Sequence, residues 1–201
     1  MCLLTNNNAG KITKKAIKVY KILRIDFNIK TGSFELCTPF VNKCINRIPY
    51  KIEASNPLKK DCLLKSSLTA YPLDNIKYVE LYECTSEGVH AYLHRLDNIK
   101  NNNWGGLEIN ASNRGHSVKG LVCTLQAECT IPAGTRIFEC YKPYYKKIGN
   151  PYDIAAEELS IDKLNIPLKD NFSTVVWPYV EKYLLPKVEQ LNKMKNVFDN
   201  K

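Results

Sequence analysis

Apolar and polar residues alternate along Leu121–Ile131. Leu121, Cys123, Leu125, Ala127, Cys129 and Ile131 are apolar, Thr124, Gln126, Glu128 and Thr130 are polar, and only Val122 breaks the pattern. Period-two alternation over eleven residues predicts a long strand with one buried and one wet face. Pro132, Ala133 and Gly134 follow. Proline presets φ for an early turn position and glycine admits positive φ, so a turn is predicted there. A second strand is predicted over Thr135–Tyr141, making the whole unit a β-hairpin.

The same reading extends along the chain. Residues 1–11 read as a polar arm. A strand is predicted from about Ala16 to Phe27, carried by Ile17, Val19, Ile22, Leu23, Ile25 and Phe27, with a bulge where Ile22 and Leu23 are adjacent. Lys30, Thr31 and Gly32 predict a turn into a shorter strand from Ser33 to Leu36, completing an N-terminal hairpin. Pro39, Pro49 and Pro57 predict loop with short extended pieces over 37–57, and 58–70 admits a short helix. Ile76–Tyr82 reads as a strand and Cys84–Gly88 as a turn. Val89, Leu93, Leu96 and Ile99 recur at three and four, predicting a helix over 89–99. Residues 100–119, rich in Asn, Gly and Ser, read as a long loop. Tyr141–Asp153 reads as a basic aromatic loop, and Glu158–Leu164 as a last short strand.

Beyond residue 170 the period changes. Val176, Val180, Leu184, Val188, Leu191 and Phe198 trace a helical stripe, with Pro178 suited to a first turn. Pro186 lacks the N–H that an interior helical position needs, so a kinked helix, or two helices broken near Leu185, is predicted. The fold class is therefore α+β: a mainly antiparallel, curved sheet of about six strands, one packed helix and a C-terminal helical segment. The expected division is a β-rich core domain over 1–170 and a helical appendage over 171–201.

Composition narrows the functional classes. The 201 residues and 44% hydrophobic share suit a globular protein with a real core. No apolar run approaches a membrane span, and MCLLTNNNAGK turns polar after four residues. The expectation is no membrane and a cytoplasmic protein. None of the eight cysteines forms a CxxC pair, and Cys123 and Cys129 fall on the inward row, so reduced core thiols are expected rather than zinc or disulfides. The net charge of +9 draws the protein toward polyanions. Abundant Lys and Asn together, including NNN at 6–8 and 101–103, also fit an A/T-rich coding sequence, with much of the lysine solvated.

Candidate chemistry is sparse. His90 and His94 at i and i+4, with His116 beyond, could ligate a metal, but no Glu sits between them and Asp97 is the only near carboxylate. Surface or capping histidines are the simpler reading, with His90 lining a pocket beside Gly88 as a third; no metal or cofactor is expected. The stretch YKPYYKKIGNPY, 141–152, interleaves Lys142, Lys146 and Lys147 with Tyr141, Tyr144, Tyr145 and Tyr152. Cations attract phosphate and aromatic faces stack on bases; tyrosines packed over a sheet edge would read the same. Arg114, in SNRGHS, could clamp phosphate or simply turn the chain. There is no Gly-rich phosphate loop, no nucleophile elbow and no positioned Cys–His pair. The expected function is thus non-catalytic capture of a phosphate-bearing small molecule or nucleic acid. Its pocket would be lined by His90, Arg114, Arg136, Lys142, Tyr144, Tyr145, Lys146 and Lys147.

Met1-Cys2-Leu3, Tyr20-Lys21-Ile22-Leu23, Thr38-Pro39-Phe40, Gly88-Val89-His90 and Ile131-Pro132-Ala133-Gly134-Thr135 occur in this order. The series resembles a type of small protein common in phages and gut bacteria, in patches over 1–165. The resemblance implies a β-rich phage-type accessory protein and no catalytic residues; an anti-defence role, sequestering a nucleotide signal, follows as an expectation. The strand, Ile-Pro-x-Gly-Thr turn, second strand and later Glu-Glu-Leu are also loosely similar to the second half of ADP-ribosyltransferases. That similarity implies an NAD-using enzyme with Glu157 or Glu158 orienting the nicotinamide ribose and Arg24 or Tyr20 contacting NAD, although no Ser-Thr-Ser strand precedes the turn. The remaining alternative is a structural or protein-interaction component, such as a virion part, with the C-terminal helix as a homo-oligomer contact.

Overall fold

The computed structural model describes residues 3–5, 10–37, 63–65, 71–72, 83–85, 89–96, 105–112, 115–140 and 152–199. Its strands are β1 (Leu3–Thr5), β2 (Lys11–Ile12), β3 (Ile17–Asn28), β4 (Phe34–Cys37), β5 (Leu63–Lys65), β6 (Tyr71–Pro72) and β7 (Glu83–Thr85). They continue with β8 (Val89–Ala91), β9 (Gly105–Ser112), β10 (Gly115–Ile131), β11 (Arg136–Glu139), β12 (Ile154–Ala156) and β13 (Glu158–Leu164). One sheet has the order β4-β3-β10-β13-β5, with β9 also on β10. A second runs β2-β11-β12-β8, and a third β1-β7-β6. The pairs with a defined register are antiparallel. With the C-terminal helix, this is an α+β fold.

The chain forms two compact units. Met1–Lys21, Leu63–Arg95 and Glu128–Ile161 make up the first, and Ile22–Cys62, Leu96–Ala127 and Asp162–Lys201 the second. Strands β3, β10 and β13 each contribute residues to both.

The alternation that predicts β10 is the alternation it shows. Leu121, Cys123, Leu125, Ala127, Cys129 and Ile131 are all buried, and all but Gln126 of the intervening residues are partly exposed. Cys123 and Cys129 are buried thiols. Burial, reinforced by the nearby Asp26 carboxylate, pushes the Cys123 thiol far up, so it packs as a small hydrophobe. Along β3 the inward row is Val19, Lys21, Leu23, Ile25 and Phe27. The parity never changes, so the bulge expected at Ile22–Leu23 is absent; Ile22 is simply buried on the opposite face. The N-terminal hairpin forms as predicted, with Arg24–Phe27 opposite Phe34–Cys37. Its turn is held by Asn28 Oδ1, which accepts from the Lys30 and Thr31 N–H groups at 2.9 and 3.1 Å.

Four sequence expectations are corrected. First, β10 and β11 do not form a hairpin: β11 pairs with β2 and β12 instead. The cause is Thr13, which takes the polar groups of the intervening turn. Its N–H donates to Thr135 O, its carbonyl accepts from Gly134 N–H, its hydroxyl donates to Pro132 O, and the same oxygen accepts from Thr135 N–H, all between 2.7 and 3.0 Å. Gly134, at φ 85, supplies the left-handed step. Second, no helix forms among the described residues of 89–99, because Val89 and Ala91 are buried at strand spacing. They pair with Ala156 and Ile154 of β12, a strand that lies between the predicted loop 141–153 and the predicted strand 158–164. Third, the expected loop over 100–119 holds β9 and the start of β10. Their ladder satisfies the backbone of an Asn- and Gly-rich stretch that intrinsic propensity disfavours, with a register shift between Val118 and Gly120. Fourth, the arm contributes β1 and β2, β5 lies at 63–65 within the stretch 58–70 that admitted a short helix, and β7 at 83–85 overlaps the turn expected over 84–88. The strand expected over 76–82 and the loop over 38–57 lie outside the described residues.

The last strand, β13, matches its prediction. The C-terminal stripe is buried at Val176, Val180, Leu184, Val188 and Leu191. Its helix begins at Trp177–Tyr179, with Pro178 in the first turn, passes through a π-turn over Val180–Leu184, and continues as α1 (Leu185–Asp199). The Leu185 N–H donates to Val180 O, five residues back. That wider turn absorbs Pro186, whose missing N–H would otherwise leave a gap in the ladder. The helix is therefore continuous rather than broken. Within the second unit Asn192 fastens it to the end of β13. Asn192 Oδ1 accepts from Leu164 N–H at 2.9 Å, and Asn192 Nδ2 donates to Leu164 O at 2.8 Å.

Asn192→Ala removes both bonds and leaves two part-buried backbone groups unpaired, for an expected loss of about 2 kcal/mol. Urea unfolding checks this. Asn192→Asp should recover little, because a carboxylate cannot donate to Leu164 O.

Candidate functional site

The residues of this site belong to the first unit. Strands β11 and β12 form a hairpin in which Ile137, Phe138 and Glu139 face Ala156, Ala155 and Ile154. One step further, Cys140 N–H donates to Asp153 O at 2.9 Å. The connection that carries the basic, tyrosine-rich sequence 141–151 therefore leaves and returns at one place. Asp153 fixes that place. Its N–H donates to Ala91 O at 3.0 Å, and its Oδ2 accepts from Leu93 N–H at 2.9 Å. One residue thus ties the mouth of the connection to both β11 and β8.

Aromatic rings line the same end. Tyr152 lies 4.8 Å from Tyr92 and 5.1 Å from His90, ring centre to ring centre, in tilted arrangements that suit the ring quadrupoles. Tyr92 and Tyr20 exchange backbone hydrogen bonds of 2.7 and 2.8 Å, drawing the start of β3 alongside. Beside Tyr20, the Lys21 side chain enters the interior with 3% of its surface exposed and donates to His90 O at 2.8 Å. A buried ammonium requires such an acceptor. Tyr92 is itself buried; burial first, and the Asp153 carboxylate second, hold its hydroxyl above the ordinary tyrosine range.

Of the residues expected to line a pocket, His90 stands here, on β8, half-buried against Tyr152. Arg136 starts β11, about 10 Å along the strand from Glu139, and its Nε donates to Glu157 Oε1 at 2.9 Å. Arg114, Lys142, Tyr144, Tyr145, Lys146 and Lys147 lie outside the described residues; the last five belong to the connection that Asp153 closes. Near its mouth Glu139 is ion-paired with Lys11. Lys21, Tyr92 and Asp153 were not anticipated. Lys21 did carry a signal, since it occupies an inward position of an otherwise apolar row. Nothing local marked Asp153.

The histidines do not share a helix face. His90 is in a strand and His94 in the exposed bend after it, and no group of three or more His, Cys, Asp or Glu among the described residues is placed to hold a metal. Of the residues named for an NAD contact, Glu157 is bonded to Arg136 and Arg24 to Asp26, each at 2.9 Å. No helix among the described residues is long and apolar enough to cross a membrane. No protein-family model, curated protein or solved structure matches the chain.

A raised tyrosine pKa makes the folded state hold a proton that the unfolded chain releases. Its contribution is complete below about pH 10, the unfolded value, and declines as pH rises toward the folded one. Asp153→Asn removes the neighbouring charge, so Tyr92 should ionise at lower pH. The difference between alkaline absorbance titrations with and without Tyr92→Phe measures this.

Proposed function

We propose that this protein binds a phosphate-bearing small molecule, a nucleotide above all, without turning it over. The observation that supports this is the closure at Asp153: the two stems of a connection with three lysines and three tyrosines are hydrogen-bonded together at a sheet end that also carries His90 and Tyr152. Cationic side chains on a fixed base suit phosphate, and adjoining aromatic groups suit a base or sugar face. The net charge of +9 raises the encounter rate with any such anion. Capture without chemistry fits a phage-type accessory role in which a nucleotide signal is withheld from a host defence. Lys142, Lys146, Lys147, Tyr144 and Tyr145 are the expected contacts, with Arg114 as a further clamp and Arg136 acting through its field.

A second reading, a protein-interaction component, draws on Ile166, Leu168 and Val175, which are 51%, 64% and 67% exposed in the segment leading to the helix. Leu168→Asp with Val175→Asp should abolish any self-association seen by sedimentation; equal association in parent and variant removes that reading.

Calorimetry and thermal melting against mono-, di- and cyclic nucleotides test the first reading. Binding is expected for at least one class. Each of Lys142→Ala, Lys146→Ala and Lys147→Ala should weaken it about tenfold, roughly 1.4 kcal/mol for every lysine–phosphate interaction removed. No heat and no melting shift across the whole panel would overturn it.

A further inference from the structure

Residues 11–18, KITKKAIK, place four lysines and no acidic residue in eight positions. Lys11, Lys14, Lys15 and Lys18 are all exposed, and so are Ile12 and Ala16 between them. Lys11 is neutralised by Glu139. No ion pair holds Lys14, Lys15 or Lys18 among the described residues, leaving three uncompensated charges on one short stretch.

That stretch is not a loose tail. Lys11 and Ile12 form β2 and pair with Ile137 and Arg136. Thr13, the one buried residue between Lys11 and Ala16, is clamped to the Pro132–Thr135 turn by four hydrogen bonds. Gly10, at φ 70, lets the backbone enter β2 close to Ile137 O; a Cβ there would come within 2.9 Å of that oxygen. Beyond the bend, Lys18 is carried by β3. The lysines are thus mounted on backbone anchored at both ends, which lowers the cost of ordering them around a partner.

We infer that Lys14, Lys15 and Lys18 form a contact surface for the phosphate backbone of a nucleic acid. Extended chain from Lys14 to Lys18 reaches at most about 14 Å. At about 3.4 Å of axis per phosphate of one strand, that covers roughly four phosphates. The surface offers charge without the planar forks that read base edges, so binding is independent of sequence and steeply salt-dependent. An anionic bilayer fits less well. Among residues 11–18 Ile12 is the one exposed large apolar side chain, with Ile17 half-buried, and the segment is strand and bend, not an amphipathic helix.

The test is binding of the full chain to a 16-base-pair duplex of arbitrary sequence, titrated between 50 and 200 mM salt, for the parent and for a Lys14→Ala, Lys15→Ala, Lys18→Ala variant. The parent should bind, and the variant should bind at least tenfold more weakly at 50 mM salt. Its slope of log affinity against log salt should be shallower by roughly 2 to 3, about 0.9 for each phosphate no longer neutralised. Lys15→Glu alone should give a shift in the same direction. A control variant with Lys163, Lys169 and Lys193, exposed in the second unit, changed to Ala should keep the parental slope. Four outcomes overturn the inference: no duplex binding by the parent, an unchanged slope in the triple variant, an equal loss in the control, or binding to vesicles of 30% phosphatidylserine without binding to the duplex. The nucleotide panel separates this surface from the proposed pocket. The Lys14, Lys15, Lys18 variant should retain whatever nucleotide affinity the parent has, and duplex binding without nucleotide binding would remove the pocket alone.

Discussion

Burial of every second side chain along two long strands is the constraint from which the rest of this fold follows. In β10 the inward row from Leu121 to Ile131 is almost wholly excluded from water, and in β3 the row from Val19 to Phe27 is likewise. A slip of one residue in either would exchange buried for exposed faces along its whole length, so register is strongly specified. Both strands supply residues to both units, and each unit's core is therefore defined by the same two alternations. Lys21 is the exception that the rows tolerate, because a backbone carbonyl of β8 is positioned to receive its ammonium.

A second constraint acts at the end of β10. The Pro132–Gly134 turn could have folded β11 back onto β10. Thr13, distant in sequence, satisfies the turn's amides and carbonyls and leaves β11 to pair elsewhere. That one decision creates the four-stranded sheet, since β11 then recruits β2 on one side and β12 on the other. It also determines where the basic connection emerges, because β11 and β12 are its two stems. The clamp and the candidate site are thus mechanically linked within one unit: Thr13 directs β11, β11 pairs β12, and Asp153 at the start of β12 closes the connection against β8. The same Thr13 holds the lysine-bearing segment 11–18 firm.

The C-terminal helix shows how a local conflict is resolved by a local change. Its apolar stripe demands a continuous helix, while Pro186 forbids one ordinary hydrogen bond. A single π-turn satisfies both, and the stripe remains buried on either side of it. Asn192 then pairs with both polar groups of Leu164, at the end of β13, which a purely apolar contact would have left unmet.

The sequence by itself determined β3, the β3–β4 hairpin, the inward row of β10, β13 and the C-terminal stripe, because each of these is written in the periodicity of its own residues. It also marked the lysine–tyrosine run of 141–152, which is legible as composition. Tertiary structure alone decided the partners. Val89–Ala91 is too short for its period to separate strand from helix, and only the edge offered by β12 made it a strand. The Asn- and Gly-rich residues of β9 carry little strand propensity and depend on the β10 ladder for theirs. Hairpin or sheet change after Ile131 turned on Thr13, more than a hundred residues away, which no local pattern could reveal. The assembly of Lys21, His90, Tyr92, Tyr152 and Asp153 has the same origin: hydrogen bonds and ring contacts between segments far apart in the chain select each other only once the strands are paired.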